Sequence, residues 1–380
     1  MEGPQLPVTR LPAPATTPVF GHLWRWATDP VRLLADGAQT GGVFRLRLWR
    51  PVLVGYRPDW NRAILGDLNT FRSRGSLSGL TPYLSGGVVY SDTPAHDPRR
   101  RQLNPHFHSR AIDPLTGLLR EVVDAHVPVG PMEALGWASR VVRRMLNAAF
   151  FAGRVPDRLL DEFFAPLQRK NPGPLLPRPV LFRRLDAAIR RVLAEPPEGT
   201  LAAALSDVDN AVEEIRVALA AGYDTTAHTL AWALWHLAAA AQWRDRETLP
   251  VVLDEVLRLY PAGWVGSRVA HRDTRADGVE IPAGMMVLYS PYLTHRDPRL
   301  WPDPAAFRPD RFADGRPAWG FIPFSAGRRS CLGAHLARRM LLTALEPFCD
   351  GTLVQVRGDA TIQSSITLRP VGPLWLARAR

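Results

Sequence analysis

The sequence predicts a mainly α-helical chain with a small β region, and three observations lead there. Residues 208–240 contain no proline and are apolar on most helical faces, the pattern of a long, central, buried helix. Helical periodicity also covers most of 111–151, 157–170 and 181–194. Strand signals are confined to 42–55, where apolar and basic residues alternate, and to two stretches in the last third of the chain.

In chain order, residues 1–20 are proline-rich and predict an extended segment laid over the surface. Residues 42–55 read as a strand pair and 58–68 as a short helix opened by Pro58. Residues 71–92 read as a long loop punctuated by Gly75, Gly79, Gly86 and Gly87. Its Leu80, Tyr83, Val88 and Val89 are more apolar than a linker needs, and such loops form pocket walls. The prolines of 171–179 exclude a helix, leaving a lid over a pocket or an ordinary connector as equal readings. The long helix 208–240 follows an Asp/Asn cluster suited to an N-cap and would span roughly 50 Å. Residues 278–289 read as a hairpin, 334–345 as a helix without glycine or proline, and 363–376 as a final strand region.

Composition bounds the function. The chain has 380 residues, 46% hydrophobic and 22% charged, enough to bury a large core in one domain spanning 1–380. Two cysteines, Cys331 and Cys349, make no disulfide framework and fit a reducing cytoplasm. The absence of an apolar run of about 18 residues or a signal-peptide pattern predicts a soluble protein without a membrane anchor. The net charge of +11 comes almost wholly from arginine, with Lys170 the single lysine. Those arginines are scattered rather than striped, which argues against nucleic acid and for an acidic protein partner.

Three stretches carry chemistry. In Phe324-Ser-Ala-Gly-Arg-Arg-Ser-Cys-Leu-Gly333 a cysteine sits between glycines, beside arginines and just before a helix. Read alone this is a buried structural cysteine in a glycine turn. If Cys331 is instead a thiolate on a haem iron, each neighbour has a use. Gly327 and Gly333 let backbone approach a flat macrocycle, and the following helix start favours a negative sulfur. Phe324 excludes water, and Arg329 meets a haem propionate. In the long helix, Ala221-Gly-Tyr-Asp-Thr-Thr226 places Gly222, a costly residue, beside Asp224 and Thr225. A carboxylate and a hydroxyl at one turn of an apolar helix mark a working site or a kink with a satisfied threonine. Third, His96 and Arg100 stand four apart on one helical face, where alone they read as a solvated basic helix.

Together these stretches resemble the cytochrome P450 family. The decamer is similar at every defined position to its haem-thiolate signature, Phe-x-x-Gly-x-Arg-x-Cys-x-Gly. The helix segment resembles its oxygen-activation motif, and the resemblance runs in order from about residue 12 to the C-terminus. It implies a cytochrome P450 fold with haem b between the long central helix and the cysteine-loop helix, and Cys331 as axial ligand. His96, Arg100 and Arg268 would reach propionates. Gly222 would leave room for O2, the co-substrate, and Asp224 and Thr225 would deliver protons. Glu255, Arg258 and Arg311 would form a structural lock holding the cysteine loop in register. Val217, Ala221, Trp264, Val265 and Ile366, with Leu80 and Tyr83, would contact substrate. Residues 151–208 and 240–255 are shorter than the family pattern, which leaves the pocket roof open to question.

The implied activity is a monooxygenase inserting one oxygen atom into an apolar small molecule such as a terpene or polyketide. Electrons would come from a ferredoxin or flavodoxin with its NAD(P)H reductase, docked near Arg99, Arg101, Arg328, Arg338 and Arg339 of a monomer. A peroxide-driven haem-thiolate enzyme and a haem-based sensor without turnover are the alternatives. The paired Asp224 and Thr225 argue against the sensor.

Overall fold

The computed structural model describes residues 7–76, 86–168, 178–349 and 352–378. Two short helices, α1 (Leu23–Thr28) and α2 (Pro30–Ala38), lead into an antiparallel pair, β1 (Val43–Arg47) and β2 (Pro51–Gly55). The Asp29 carboxylate accepts the Arg32 N–H at 3.1 Å, so aspartate cap and Pro30 together start α2. Next come α3 (Pro58–Gly66), β3 (Phe71–Arg72), α4 (His96–Phe107), α5 (Ser109–Ile112), α6 (Thr116–Asp124), β4 (Met132–Glu133) and α7 (Ala134–Phe151). The helical pattern of 111–151 is thus broken around Pro128, Gly130 and Pro131, which periodicity alone did not weigh enough.

The middle of the chain is helical: α8 (Asp157–Phe164), α9 (Pro179–Ala194), α10 (Leu201–Leu205), α11 (Ala211–Ala239) and α12 (Leu249–Leu259). The proline-rich connector between α8 and α9 lies almost wholly outside the described residues. With 29 residues, α11 is about 43 Å long. It starts three residues later than its Asp/Asn cluster suggests, and Asn210 caps it in a left-handed conformation (φ 57°) without a side-chain bond. Leu219, Leu230, Ala231, Trp232 and Leu234 are fully buried in it, each leucine worth roughly 1.5–3 kcal/mol of burial. Around α11 pack α7, α9, α12 and α14 (Ala334–Leu345).

Two strands of the last third join those of the first. β5 (Gly266–Ala270) and β8 (Met286–Tyr289) complete a five-stranded sheet in the order β1-β2-β8-β5-β3. β8 runs parallel to β2 and antiparallel to β5. The hairpin expected within 278–289 instead pairs β7 (Val279–Ile281) with β6 (Thr274–Ala276), and β8 leaves for the larger sheet. Asp277 and Gly278, both at positive φ, make that tighter turn. After α13 (Pro291–Thr294) and α14 come β9 (Leu353–Arg357), β10 (Ile362–Ser364), β11 (Leu368–Pro370) and β12 (Trp375–Arg378). β10 and β11 form a small antiparallel pair, and β12 lies between β4 and β9. No helix among the described residues is long and apolar enough to cross a membrane.

Candidate functional site

A cavity of about 410 Å³ opens between α11, the loop before α14 and the start of α4. Cys331, Leu332 and Gly333 line it from the loop, and Ala221, Gly222, Thr225 and Thr226 from α11.

The cysteine loop is shaped by backbone rather than side chains. Ser325 (φ 59°) and Gly327 (φ 69°) are both left-handed, and a Cβ at Gly327 would sit 2.5 Å from the Leu65 carbonyl oxygen of α3. The Cys331 N–H donates to the Phe324 carbonyl at 2.8 Å, closing the loop so that the sulfur opens onto the cavity. Gly333 has an ordinary φ of −84° and open space where a Cβ would stand, so its smallness matters toward the cavity and not for the turn. Burial pushes the Cys331 thiol up, against the opposing pull of the Gly333 backbone and of Arg100.

Four basic residues expected at one edge, His96, Arg100, Arg268 and Arg329, all line the cavity. His96 is buried, with its ring nitrogen 3.0 Å from the Asp97 carboxylate, and burial holds its pKa down. Arg100 donates to the Asn104 side chain at 2.6 Å. Arg329 donates to the Val89 and Ser91 carbonyls and to Asp92, so a protein carboxylate already meets it. Arg268 is buried beside it, bonding the Ser267 carbonyl at 2.7 Å. Burial and repulsion from Arg268 hold the Arg329 pKa below its ordinary value, and the Nε atoms of both arginines are buried without a hydrogen-bond partner. Like charges crowded in a buried edge with open donors fit an anionic group such as a propionate. The residues present therefore fit haem: Cys331 to ligate, Gly222 and Gly333 to give room, and Arg268 with Arg329 to meet carboxylates.

On α11 the two proton-delivery candidates separate. Thr225 faces the cavity, and its hydroxyl donates to the Ala221 carbonyl at 2.8 Å. The helix continues without interruption, so the local opening expected there does not occur. Asp224 does not line the cavity. It is 2% exposed, its Oδ2 accepts the Thr367 hydroxyl at 2.9 Å, and its Oδ1 lies 3.3 Å from His228 Nδ1. Asp224 is thus turned away from the cavity, toward Thr367 and His228.

Glu255, Arg258 and Arg311 come together in one cluster. Arg258 donates to both Glu255 oxygens at 2.7 Å, and both residues are fully buried. Arg311 Nε and the Arg308 backbone N–H add bonds of 3.1 and 2.8 Å to the same carboxylate. His295 extends the lock toward the cysteine loop. One ring nitrogen lies 3.2 Å from the Arg258 carbonyl, and the other accepts the Ile322 N–H at 2.8 Å, two residues before Phe324.

The Cytochrome P450 family model matches residues 239–348, which hold the lock and the cysteine loop. Cyclooctat-9-en-7-ol 5-monooxygenase of Streptomyces melanosporofaciens is 27% identical, with 97% of this chain and 91% of that protein aligned. Cyclooctatin synthase of the same organism is 26% identical over 88% of each chain. The crystal structure of the cytochrome P450DA heme domain shares the fold at a TM-score of 0.83, with 21% identity over 99% of both chains. The chain belongs to the cytochrome P450 family. Membership makes it an oxidoreductase of the monooxygenase class.

The substrate end of this cytochrome P450 is built differently from expectation. Val217, Ala221 and Val265 line the cavity, but Trp264 and Ile366 do not. Trp264 turns into the core against Trp26, its indole N–H donating to the Ser365 carbonyl at 3.2 Å. Ile366 packs against the main core. Leu80 and Tyr83 lie outside the described residues. The wall includes Val88 and Val89, from the loop read as a pocket wall, and a carboxylate not foreseen, Glu214. Its one signal in sequence was an acid in the first turn of an apolar helix.

The arginines assigned to partner docking also divide. Arg99 pairs with Glu214 at 3.0 Å, and Arg338 with the fully buried Asp254, which Arg316 shares. Both hold the fold together. Arg101 is exposed, while Arg328 and Arg339 reach surface carboxylates Asp97 and Asp113.

Proposed function

We propose that this cytochrome P450 inserts one oxygen atom from O2 into an apolar natural-product scaffold such as a terpene or polyketide, using electrons from an acidic ferredoxin or flavodoxin. The observation that carries the reading is that Cys331 and Thr225 share one cavity whose edge gathers buried, partly unpartnered arginines. The low-identity relatives named for oxidation of cyclooctat-9-en-7-ol and for cyclooctatin support a natural-product role.

The chain's own residues divide the work. Cys331 would ligate haem b, and His96, Arg100, Arg268 and Arg329 would hold its carboxylates. When bound, haem supplies oxygen activation, with the thiolate's electron push favouring O–O cleavage as in cytochrome P450 enzymes generally. The Thr225 hydroxyl donates its hydrogen bond to the Ala221 carbonyl, which leaves its lone pairs to accept a hydrogen bond from a donor in the cavity. Asp224 would act from behind the helix, exchanging protons through Thr367 and His228 rather than directly with the cavity. Val217, Ala218 and Val265 exclude water from the substrate.

The first experiment is the absorption spectrum of the purified, reduced protein under carbon monoxide. A strongly red-shifted Soret band, lost in Cys331→Ser, is expected. A histidine-type band, or no haem after reconstitution, would overturn the reading. The redox partner is checked separately: turnover with a ferredoxin should slow as salt rises, because screening weakens contacts at Arg101, Arg328 and Arg339.

A further inference from the structure

We propose that one end of the molecule, built around the junction of His22 with Arg47, docks on an anionic lipid surface. Phe20, Trp24 and Trp49 are 67%, 70% and 53% exposed, and every other phenylalanine, tryptophan and tyrosine among the described residues is at least partly buried. Rings left in water forfeit their burial, and a contiguous patch of them marks a surface that meets something apolar.

The three rings share one place. The His22 N–H donates to the Arg47 carbonyl at 2.7 Å, and the Arg47 N–H donates to His22 Nδ1 at 2.8 Å. Each ring stands two residues from that junction: Phe20 before His22, Trp24 after it, and Trp49 beyond Arg47 in the turn between β1 and β2. The backbone here is fixed. Thr17 and Gly21 exchange N–H···O=C bonds of 3.1 Å, which makes Pro18, Val19 and Phe20 the apex of a closed turn. The Arg47 guanidinium donates to the Thr17 and Pro18 carbonyls, the first at 2.7 Å. Gly21 stands at φ 61°, and a Cβ on it would lie 2.3 Å from the Arg47 carbonyl oxygen. Held in this way, the turn keeps Val19 and Phe20 in solvent.

Charge names the occupant. Residues 15–51 carry five arginines against two aspartates. Asp36 pairs with Arg25, and the Asp29 carboxylate caps α2. Arg32, Arg45, Arg47 and Arg50 pair with no carboxylate among the described residues, and Arg45 and Arg47 lie on the exposed face of β1. Aromatic rings beside unpaired arginines suit the interface of an anionic bilayer, where rings enter at headgroup level and guanidiniums meet lipid phosphates. A second copy of the chain would instead bring the same cations face to face across a two-fold axis. No helix among the described residues is long and apolar enough to cross a membrane, so the contact is peripheral.

This end also borders the cavity. Trp26 of α1 packs against Trp264, next to cavity-lining Val265, and Arg50 donates to the Gly75 carbonyl at 3.1 Å, two residues past cavity-lining Ser73. Uptake of an apolar substrate from the bilayer would follow, and that use rests on the monooxygenase reading; the contact itself does not.

The haem-loaded full chain is sedimented with vesicles of phosphatidylcholine, with and without about one-third phosphatidylglycerol. Wild type should partition roughly tenfold more strongly to the anionic vesicles, with the preference shrinking as salt rises. Phe20→Ser combined with Trp24→Ser should lower that partitioning roughly tenfold, and Arg32→Gln combined with Arg45→Gln should erase the preference for anionic lipid. If the serine pair fails to fold, Trp49→Ser replaces it, with a several-fold loss expected. Wild type that ignores anionic vesicles overturns the proposal. So does unchanged partitioning in the aromatic variant, because charge alone would then explain the attraction. A dimer seen by sedimentation velocity without lipid, and abolished by the aromatic variant, also overturns it and assigns the patch to a second copy. The carbon monoxide band answers the other question: its absence removes the monooxygenase reading and leaves the lipid contact standing.

Discussion

Thr225 and Arg268 illustrate how much a single side chain decides in this site. Because the Thr225 hydroxyl donates back to Ala221 at 2.8 Å, its role in the cavity is that of an acceptor. Replacing it by alanine removes the acceptor while leaving the helix intact. Thr225→Ala should therefore keep consuming O2 but form several-fold less product per O2, with peroxide rising, whereas Thr225→Ser should stay near wild type. Oxygen, peroxide and product measured together decide it, and unchanged coupling in the alanine variant would point to a peroxide-driven enzyme. Arg268 is buried, and no carboxylate pairs with it among the described residues. Charge-assisted bonds to a buried anion are worth about 1.5–3 kcal/mol. Arg268→Leu should accordingly weaken haem retention roughly tenfold or more, read from haem transfer to an apo-globin acceptor.

At the scale of elements, the heart of the molecule is the join between α12 and the segment that carries the cysteine. Glu255 receives four hydrogen bonds there, two from Arg258 and one each from Arg311 and the Arg308 backbone. Removing one member of a buried ion pair strands the others, at about 3–5 kcal/mol. Glu255→Ala should lower the unfolding free energy by about that amount in urea. The thiolate signal under carbon monoxide should fall with it, since His295 ties the same helix to Ile322 just before the loop. A variant that loses stability but keeps a full thiolate band would show that the lock does not position the cysteine.

For the molecule as a whole, acid should be destabilising through two buried histidines. Burial holds His236 down to about 4, and burial with the neighbouring Arg258 and Arg296 holds His295 down to about 3. In the unfolded chain both titrate near 6.5. Between those values the unfolded state binds more protons, so stability is intact above about pH 6.5 and falls as pH drops. Each histidine contributes a slope of up to about 1.4 kcal/mol per pH unit. His236 stacks on Phe307 at 4.3 Å between ring centres, so His236→Phe keeps the packing while removing the titrating group. Its unfolding free energy should fall less than wild type between pH 7 and 5; an equal fall would exclude His236 as a source of the acid sensitivity.

The linear sequence alone determined the mainly helical class, the extent of α14 and the β1–β2 pair, and it singled out Cys331 as the candidate ligand. Each depends on residues adjacent in the chain, where periodicity, glycine and proline act locally. The Glu255–Arg258–Arg311 lock was legible too, but only because a family resemblance supplied the long-range partner. Tertiary structure decided which way the polar side chains turn. Asp224 is adjacent to Thr225 in sequence, yet it faces Thr367, 143 residues away, and no local pattern registers that partner. Trp264 looked like a pocket residue beside Val265, but its packing against Trp26 and the indole's bond to the Ser365 carbonyl hold it in the core. Among the arginines, sequence counted charges while the fold chose which ones carboxylates neutralise, taking Arg99 and Arg338 inward. Glu214 follows the same rule: its spacing placed it on α11, and only packing against the loop at Val88 aimed it into the cavity.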